Sequence, residues 1–446
     1  MQDETVSLNI LHTKRQRYKL ATAHTLVKDL KWILLYLKVL GLLPIFKITH
    51  TYQMAMPNNR SCAALYTHAT HVFGFLLIIS YIYIVCSPTA NSVIFIYGEM
   101  DNATTAFQIL LSITCYAIVF WKSANKAQPF LAIINQLLSV DQELQQYPRA
   151  PAALENKCDF YKGYLLMLLA HISTFWSMKW MNSRECNSSM ICFCIFFIYL
   201  YMHAVINAYV VFVAILLHLL TMRFRYLNSF IEIYAAKRNA VSCAGVSTQC
   251  GDGTWAGCGG ERTAEDVDFV VFSQDMIFFY RLHNHLLVIF ETLNDYVHIA
   301  LLVFIGYFLY GSTIAVYYFY FAAILRDDIQ IISVIWCALF LCLHVPTAAV
   351  LMRKSDAAAK EANATSCHLA RIYGRGLDQQ KLIDKFLTKS IKQNIKFTAY
   401  GFFVINKSTL FKICSAITTY LVILIQFRQL EDSRAQNSKH RATDEL

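Results

Sequence analysis

One face of the last long apolar segment carries side chains that could line a hydrated path through a membrane. This face, which we call the polar stripe, holds residues three or four apart, at helical spacing: Ser408, Lys412, Ser415, Thr419, Val422 and Gln426. The opposite face is wholly apolar: Leu410, Ile413, Ile417, Leu421 and Leu424. Unpaired polar groups are costly in lipid, so the polar stripe is expected to face water or other helices. Dry packing against other helices is the structural alternative to a functional role.

The amino-acid composition is that of a membrane protein, as the polar stripe on an apolar helix requires. Of the 446 residues, 57% are hydrophobic and only 15% are charged, which is too apolar for a soluble domain of this length. A membrane span needs about 20 mostly apolar residues. Seven windows come near that length, namely 64–86, 104–121, 161–179, 190–218, 297–321, 329–352 and 408–427. The sequence therefore predicts an all-α fold with seven transmembrane helices.

The distribution of lysine and arginine predicts the orientation of these spans. Basic residues are concentrated before the first span and after the second, fourth and sixth, whereas 87–103 has none and holds Glu99 and Asp101. Lysine and arginine are retained on the cytoplasmic side, so the N-terminus is predicted to be cytoplasmic and the C-terminus extracellular. Two glycosylation sequons, at Asn102 and Asn187, fall in the predicted external loops. The net charge of +10 follows from this topology, and no nucleic-acid partner is indicated.

The remaining segments divide the chain into five predicted regions. These are a cytoplasmic N-terminus (1–63), six membrane helices (64–352) with a flexible glycine-rich loop (239–265), a cytoplasmic anchor (353–407), the last helix (408–427) and an extracellular tail (428–446). Residues 30–46 resemble a helix that lies in the inner membrane interface. Apolar faces at 276–296 and 377–396 have little in one subunit to cover them, so we expect them to pack together, within or between subunits.

No catalytic or metal-binding constellation is evident in the sequence. The nearest histidine pairs, His68 with His71 and His283 with His285, have no further ligands at metal-site spacing. Neither a G-x-S-x-G nor an H-E-x-x-H motif is present. The sequence thus predicts neither an enzyme nor a bound cofactor or metal. A bridge between Cys86 and Cys186 stays open.

The final helix carries a recognisable motif. Thr419–Phe427 reads TYLVILIQF, and the stretch before it, 397–413, reads FTAYGFFVINKSTLFKI. The motif resembles the TYhhhhhQF signature of insect gustatory receptors, where h is apolar, and 397–413 resembles the segment that leads into it. Elsewhere the resemblance is one of architecture only.

The resemblance implies a non-selective cation channel that a small-molecule tastant opens. Four subunits, identical or mixed with related receptors, would surround one pore in the plasma membrane of sensory neurons, with lipid around them. The implied pore or gate residues are Ser415, Thr419, Val422, Gln426 and Phe427. Glu431 and Asp432 would form an acidic outer mouth that raises the local concentration of cations.

Ligand-binding residues are expected in the outer halves of the other spans. Aromatic walls with a few polar groups suit a small organic ligand. The candidates are Gln108, Trp176, Trp180, Tyr310, Tyr317, Ser333 and Trp336. The alternative is the belt of Trp and Tyr that membrane interfaces favour without any ligand.

Three rival functions give different expectations. A G-protein-coupled receptor would need the opposite orientation and lacks its Asp-Arg-Tyr and Asn-Pro-x-x-Tyr motifs here. A secondary transporter could also use a polar stripe, as the lining of its translocation path. In the resembled family, the motif of many sugar-sensing members resembles TYE, with a glutamate after the Thr-Tyr pair. This chain has Leu421 at that position. This favours bitter or other non-sugar tastants, with a sugar-gated receptor as the alternative.

Overall fold

The computed structural model is mostly helical. It describes residues 33–43, 47–48, 54–55, 62–86, 99–125, 127–147, 169, 189–247, 261–324, 331–372, 377–392 and 394–444. Within these ranges the helices are α1 (33–39), α2 (Cys62–Val85), α3 (Glu99–Asn125), α4 (Ala127–Gln146), α5 (Ser189–Ser247), α6 (Glu261–Ile324), α7 (Ile331–Leu369), α8 (Leu377–Lys392) and α9 (Lys407–Asp444). Two antiparallel strand pairs accompany them: β1 (Lys47–Ile48) with β2 (Met54–Ala55), and β3 (Thr398–Ala399) with β4 (Phe403–Val404).

Six helices in the described part of the chain are long and apolar enough to cross a membrane. The segments are Leu65–Tyr83, Ala106–Ser123, Phe197–Lys237, Val271–Tyr320, Cys337–Leu369 and Lys407–Leu430. Each overlaps one of the seven predicted windows, and the remaining window, 161–179, lies outside the described residues except for Leu169. The helical fold class is confirmed, whereas the two strand pairs were not predicted because two-residue strands show no alternating pattern.

Helices α5 and α6 run farthest beyond the predicted spans. Helix α5 continues from the window 190–218 to Ser247, and α6 joins the amphipathic segment 276–296 to the span 297–321 without a break. The predicted loop at 239–265 is therefore wrong at both ends, which are helical. The loop signal came from glycines, and all but Gly245 lie in 248–260, outside the described residues.

Helix α5 is the centre of the bundle. Of its most apolar window, 89% is buried, against 17% for the window of α2 and 6% for that of α9. Helices α3, α6 and α7 pack around α5, while α9 lies against α6 and α7. The last helix is consequently the least covered of the six segments, although its apolar content is typical of a buried helix.

Helix α1 is covered by protein on its apolar face. Ile33, Leu34 and Leu37 belong to the hydrophobic core, whereas Leu35 and Val39 are exposed, and the position of this helix in the membrane interface stays a prediction. The turn after α1 needs Gly41, because its φ of 72° is unfavourable for other residues and an added Cβ atom would lie 3.2 Å from the Thr70 side chain. This turn brings the Leu42 carbonyl to the Ser123 hydroxyl of α3, which donates to it.

The two amphipathic faces meet as expected, but one of them is already buried inside a single chain. On α6, Leu282, Leu286 and Leu293 are fully buried, so the expectation that one subunit has little to cover this face is wrong. Helix α8 buries Ile383 and stacks Phe386 on Tyr280 of α6, with ring centroids 4.7 Å apart. Helices α4, α5 and α7 supply the cover that the sequence could not reveal.

A buried ion pair ties α4 to α5. Arg223 Nη2 lies 2.6 Å from Asp141 Oδ2, and both side chains are almost completely buried. Arg223 Nη1 also donates to the Leu219 carbonyl, at 2.8 Å. Asp141 Oδ1 and Arg223 Nε have no hydrogen-bond partner among the described residues. The pair is therefore only partly satisfied, and each charge depends on the other.

A more exposed contact lies nearby. Glu143 of α4 is 3.7 Å from His285 Nδ1 and 3.9 Å from Arg281 Nη2, both on α6. The neighbouring His285 is the main cause that lowers the pKa of Glu143, and partial burial opposes it. Helix α4 is thus held by charged groups on two sides.

Candidate functional site

Helix α9 turns the polar stripe away from the rest of its chain. Every stripe residue is exposed, whereas Ile413 on the opposite face is buried and Leu410 and Ile417 pack on the hydrophobic core. A helix turns about 100° per residue, which places the polar stripe at the middle of the exposed surface. The structure therefore has the two faces that the sequence period predicts.

The exposed face offers oxygen atoms and apolar side chains at different levels. Thr419 donates its hydroxyl hydrogen to the Ser415 carbonyl, at 3.1 Å, so its oxygen remains available as an acceptor. Val422 and Ile423, exposed by 49% and 39%, form an apolar level one turn before Gln426. Phe427 is 59% exposed but lies about 100° from Gln426, at the flank of the polar stripe. Hydroxyl and amide oxygens can coordinate a partly hydrated cation.

The first turn of α9 is fixed to the helices behind it. Asn406 caps the helix, because its Oδ1 accepts from Thr409 N at 3.0 Å. The Ile405 carbonyl accepts from Ser355 Oγ of α7 at 2.6 Å, and Ile405 N donates to Phe397 O at 2.8 Å. A shift of α7 would therefore be passed directly to the start of α9.

Helix α9 is longer than the predicted final span and ends at Asp444. Glu431 and Asp432, the predicted outer mouth, lie on this helix, but their side chains are outside the described set. The segment 428–446, predicted only as an extracellular tail, is thus helical up to Asp444.

Among the predicted ligand residues, Tyr310 contacts helix α3, on which Gln108 lies. Tyr310 of α6 donates its hydroxyl to the Thr104 carbonyl of α3 at 3.0 Å and meets Phe107 edge to face, with centroids 4.8 Å apart. Gln108 follows Phe107 on α3 and is half-buried. Tyr317 is buried, with its ring beside that of Tyr318.

Several other predicted residues lie outside what the structure describes. Trp176, Trp180 and Asn187 are outside the described residues. Ser333 and Trp336 lie on α7, and Asn102 lies on α3, but their side chains are not among those described. Their assignment to ligand binding or glycosylation stays a prediction.

A buried polar cluster that the sequence did not predict joins three helices. We call His203 and Asn207 of α5, Tyr307 of α6 and His344 of α7 the polar cluster. Tyr307 Oη lies 2.8 Å from His203 Nδ1, and His203 Nδ1 lies 3.3 Å from His344 Nε2. All four side chains are at most 2% exposed.

The hydrogen bonds of His344 determine its tautomer. Its Nδ1 lies 3.0 Å from the Phe340 carbonyl, which can only accept, so a neutral His344 carries its proton on Nδ1. Its Nε2 then accepts from Asn207 Nδ2, at 3.2 Å. Asn207 Nδ2 also donates to His203 O, but Asn207 Oδ1 has no partner among the described residues. The polar cluster thus contains a buried acceptor that needs a donor.

Sequence reasoning missed the polar cluster because its members are far apart along the chain. The only local signal is His203 with Asn207, four residues apart within an otherwise apolar window. Polar residues at this spacing inside a span favour a functional interpretation, but their partners on α6 and α7 become visible only in the fold.

Comparison with known proteins shows that the similarity covers nearly the whole chain. Residues 30–431 match the family described as 7tm chemosensory receptor. Gustatory and pheromone receptor 32a of Drosophila melanogaster is 33% identical over 421 residues, covering 93% of this chain and 88% of that receptor. Gustatory receptor 68a of the same species is 45% identical over 151 residues, which cover 33% of this chain and 39% of that receptor.

Solved structures show a similar fold. The insect olfactory receptor OR5 from Machilis hrabei superposes with a TM-score of 0.57 at 13% identity, covering 91% of this chain and 99% of that one. The same receptor in complex with eugenol gives a TM-score of 0.55. At this identity the likeness concerns the fold alone.

The matches agree with the helices and with the TYLVILIQF motif. They confirm a multi-pass membrane receptor rather than an enzyme. The identity of 33% extends over 93% of the chain, far beyond the C-terminal motif on which the resemblance first rested. The chain therefore belongs to the 7tm chemosensory receptor family, in which it is similar to gustatory receptors.

Proposed function

We propose that this chain is a gustatory receptor and a subunit of a cation channel that a small molecule opens. Four subunits would place their α9 helices around one central path. The observation that carries the proposal is the exposure of the polar stripe on a helix of which only 6% of the apolar window is buried. In lipid the exposed Gln426 amide would be unsatisfied, whereas a shared water-filled path satisfies it.

The proposed orientation assigns a role to each level of α9. With the N-terminus in the cytoplasm, Lys407 lies at the inner end of the helix and Gln426 near the outer mouth. Val422 and Ile423 would form the apolar constriction that closes the path by excluding water. Phe427 would support this level from the flank, and Glu431 and Asp432 would attract cations.

The polar cluster is proposed as the inner end of the ligand pocket. His203, Tyr307 and His344 all lie near the middle of the predicted spans 190–218, 297–321 and 329–352, next to the outer halves in which ligand residues are expected. The unpaired Asn207 Oδ1 would accept a hydrogen bond from a ligand hydroxyl or N–H group, and leaving such a buried group unpaired costs about 1–3 kcal/mol. Ligand binding would therefore be strongest in the state that brings this acceptor to the ligand, which is the condition for gating.

The motif and the aromatic side chains near the polar cluster indicate the class of ligand. Leu421 favours a bitter or other non-sugar compound, and the aromatic neighbours Phe107 and Tyr310 suit an apolar body. A hydroxylated organic compound fits both the aromatic wall and the free acceptor. Homotetramers and assemblies with related receptors are both compatible with this proposal.

Replacing Asn207 with leucine is expected to weaken activation by hydroxylated ligands. The side chain keeps its approximate size but loses the acceptor, so the half-maximal concentration should rise about tenfold, the factor that about 1.4 kcal/mol gives. Single-channel conductance should stay unchanged. Concentration–response curves and unitary currents measure the two quantities.

The matched control is Asn207→Gln, which retains both amide atoms. It should keep more of the ligand response than the leucine variant at equal surface expression. Equal ligand sensitivity in the wild type and in Asn207→Leu would remove the polar cluster from the ligand pocket.

The proposed function is tested by patch recording from cells that express the chain, alone and together with related receptors. Bitter compounds and sugars are applied from outside. Ligand-evoked unitary cation currents are the expected result, and the effective compound decides between the two ligand classes. Ligand-evoked transport without resolvable unitary events, or silence in both settings despite verified surface expression, would contradict the channel.

A further inference from the structure

The hairpin that leads into α9 has an unusual turn. Strands β3 and β4 are joined by Tyr400, Gly401 and Phe402, and Phe402 N donates to the Ala399 carbonyl at 3.0 Å. The φ angles of Tyr400 and Gly401 are 52° and 76°, both in the left-handed region. Two consecutive positive φ angles define a type I′ turn, in which asparagine followed by glycine is preferred.

Tyrosine is a poor residue for the first of these two positions. Its bulky side chain makes the left-handed conformation unfavourable, whereas asparagine and glycine tolerate it. Within its own chain the Tyr400 ring contacts that of His298 of α6, with centroids 4.9 Å apart, but more than half of the side chain stays exposed. An exposed aromatic side chain on a strained turn favours a role in recognition, because such strain is found where function requires it.

The base of the hairpin is buried and hydrogen-bonded to α6, whereas its tip is largely exposed. Phe397 and Ala399 are completely buried, and Thr398 N donates to Asn294 Oδ1 of α6 at 2.9 Å. At the tip, Tyr400 and Phe402 are 57% and 74% exposed, with ring centroids 6.2 Å apart. The hairpin thus presents an aromatic pair, which we call the aromatic tip, on a fixed support.

The position of the hairpin next to α9 indicates which molecule would contact the aromatic tip. Two residues, Ile405 and Asn406, separate β4 from the helix. Helices that pack around one path approach each other to about 8–10 Å, so a hairpin at the foot of α9 must lie within reach of the neighbouring subunit. The exposed Phe411, one turn into α9, offers a second apolar surface at this level.

We propose that the aromatic tip docks on a second copy of this chain, at the first turns of its α9. This inference rests on the proposed channel assembly and adds a specific contact to it. Aromatic side chains are enriched at the centres of protein interfaces, and a rigid support reduces the entropy lost on docking. Because the hairpin is joined to α9, the contact would couple the movement of one pore helix to that of the next.

Photocrosslinking in the full-length chain tests the contact. The photoreactive residue p-benzoylphenylalanine replaces Phe402 in one sample and Tyr83 in the control sample. Tyr83 is 77% exposed on α2, whose main contacts are with α3 and α5. Illumination of intact membranes should give an adduct of twice the chain mass at position 402 and little at position 83. Equal yields, or only monomer-mass products such as lipid adducts at position 402, would overturn the proposal.

A turn variant separates the contact from the fold. Tyr400→Asn suits the type I′ turn, so the hairpin should form at least as well as in the wild type. The yield of the position-402 adduct should nevertheless fall about fivefold, the size expected when one interface aromatic is removed. Tyr400→Phe should retain the yield. An undiminished yield in Tyr400→Asn would exclude Tyr400 from the contact.

Subunit counting separates failure of this inference from failure of the channel. Stepwise photobleaching of the labelled wild type reports the number of chains in each complex. Four chains together with no adduct at position 402 would overturn the docking of the aromatic tip alone. Single chains would overturn the channel proposal as well.

Discussion

Replacing Gln426 with arginine is expected to abolish the ligand-evoked cation current while the receptor still reaches the cell surface. Gln426 is exposed on α9, so the larger side chain meets no packed core. Four arginines would place a ring of positive charge near the outer mouth of the proposed path, and such rings exclude cations. The native Lys412 lies near the inner end of α9, where its long side chain can reach the membrane interface and leave the path. A barrier of about 1.4 kcal/mol already lowers a current about tenfold, and four charges should exceed this. Whole-cell current at a saturating ligand concentration measures the effect.

Gln426→Asn is the matched control, because it keeps the amide and the neutral charge. It should alter conductance only modestly. A cation current of wild-type size in Gln426→Arg, at normal surface expression, would mean that Gln426 does not line the path.

Replacing Asp141 with leucine is expected to destabilise the receptor more than any change at the exposed surface. Arg223 would keep its charge inside the protein without a counter-charge, since both members of the pair are buried. Removing one partner of a buried pair typically costs about 3–5 kcal/mol. Thermal unfolding of the purified receptor and its surface expression should both show the loss.

Two comparison variants make this prediction specific. The double variant Asp141→Leu with Arg223→Met removes both charges and should recover most of the lost stability. Glu232→Gln breaks an ion pair with Arg371 in which both side chains are more than half exposed, and it should change stability by less than about 1 kcal/mol. If Asp141→Leu is as stable as Glu232→Gln, the buried pair does not hold α4 in place.

The spacing of polar and apolar residues was sufficient to predict the two faces of α9, and hydropathy was sufficient to predict the positions of the described spans. Apolar and polar residues alternate with the helical repeat in 408–427, so exposure of Gln426 and burial of Ile413 followed from spacing alone. Hydropathy located the six described spans for the same reason. Neither signal depends on distant contacts.

Other features depended on contacts between distant segments. His203 and His344 are 141 residues apart, so no local pattern could bring them together. The cover on Leu282 and Leu286 comes from helices elsewhere in the chain, which is why their burial within one subunit was not predicted. The turn at Tyr400 was hidden because sequence rules favour asparagine before glycine at such positions.

Cysteine accessibility along α9 tests most directly whether the polar stripe lines the ion path. The native Cys414 is exposed on the same helix, so the substitutions are made in a Cys414→Ala background. Val422→Cys and Gln426→Cys represent the polar stripe, and Leu421→Cys and Leu424→Cys represent the opposite face. A charged thiol reagent added during ligand application should block the current through the first two variants and spare the last two. Block at both faces, or at neither, would contradict a path lined by the polar stripe.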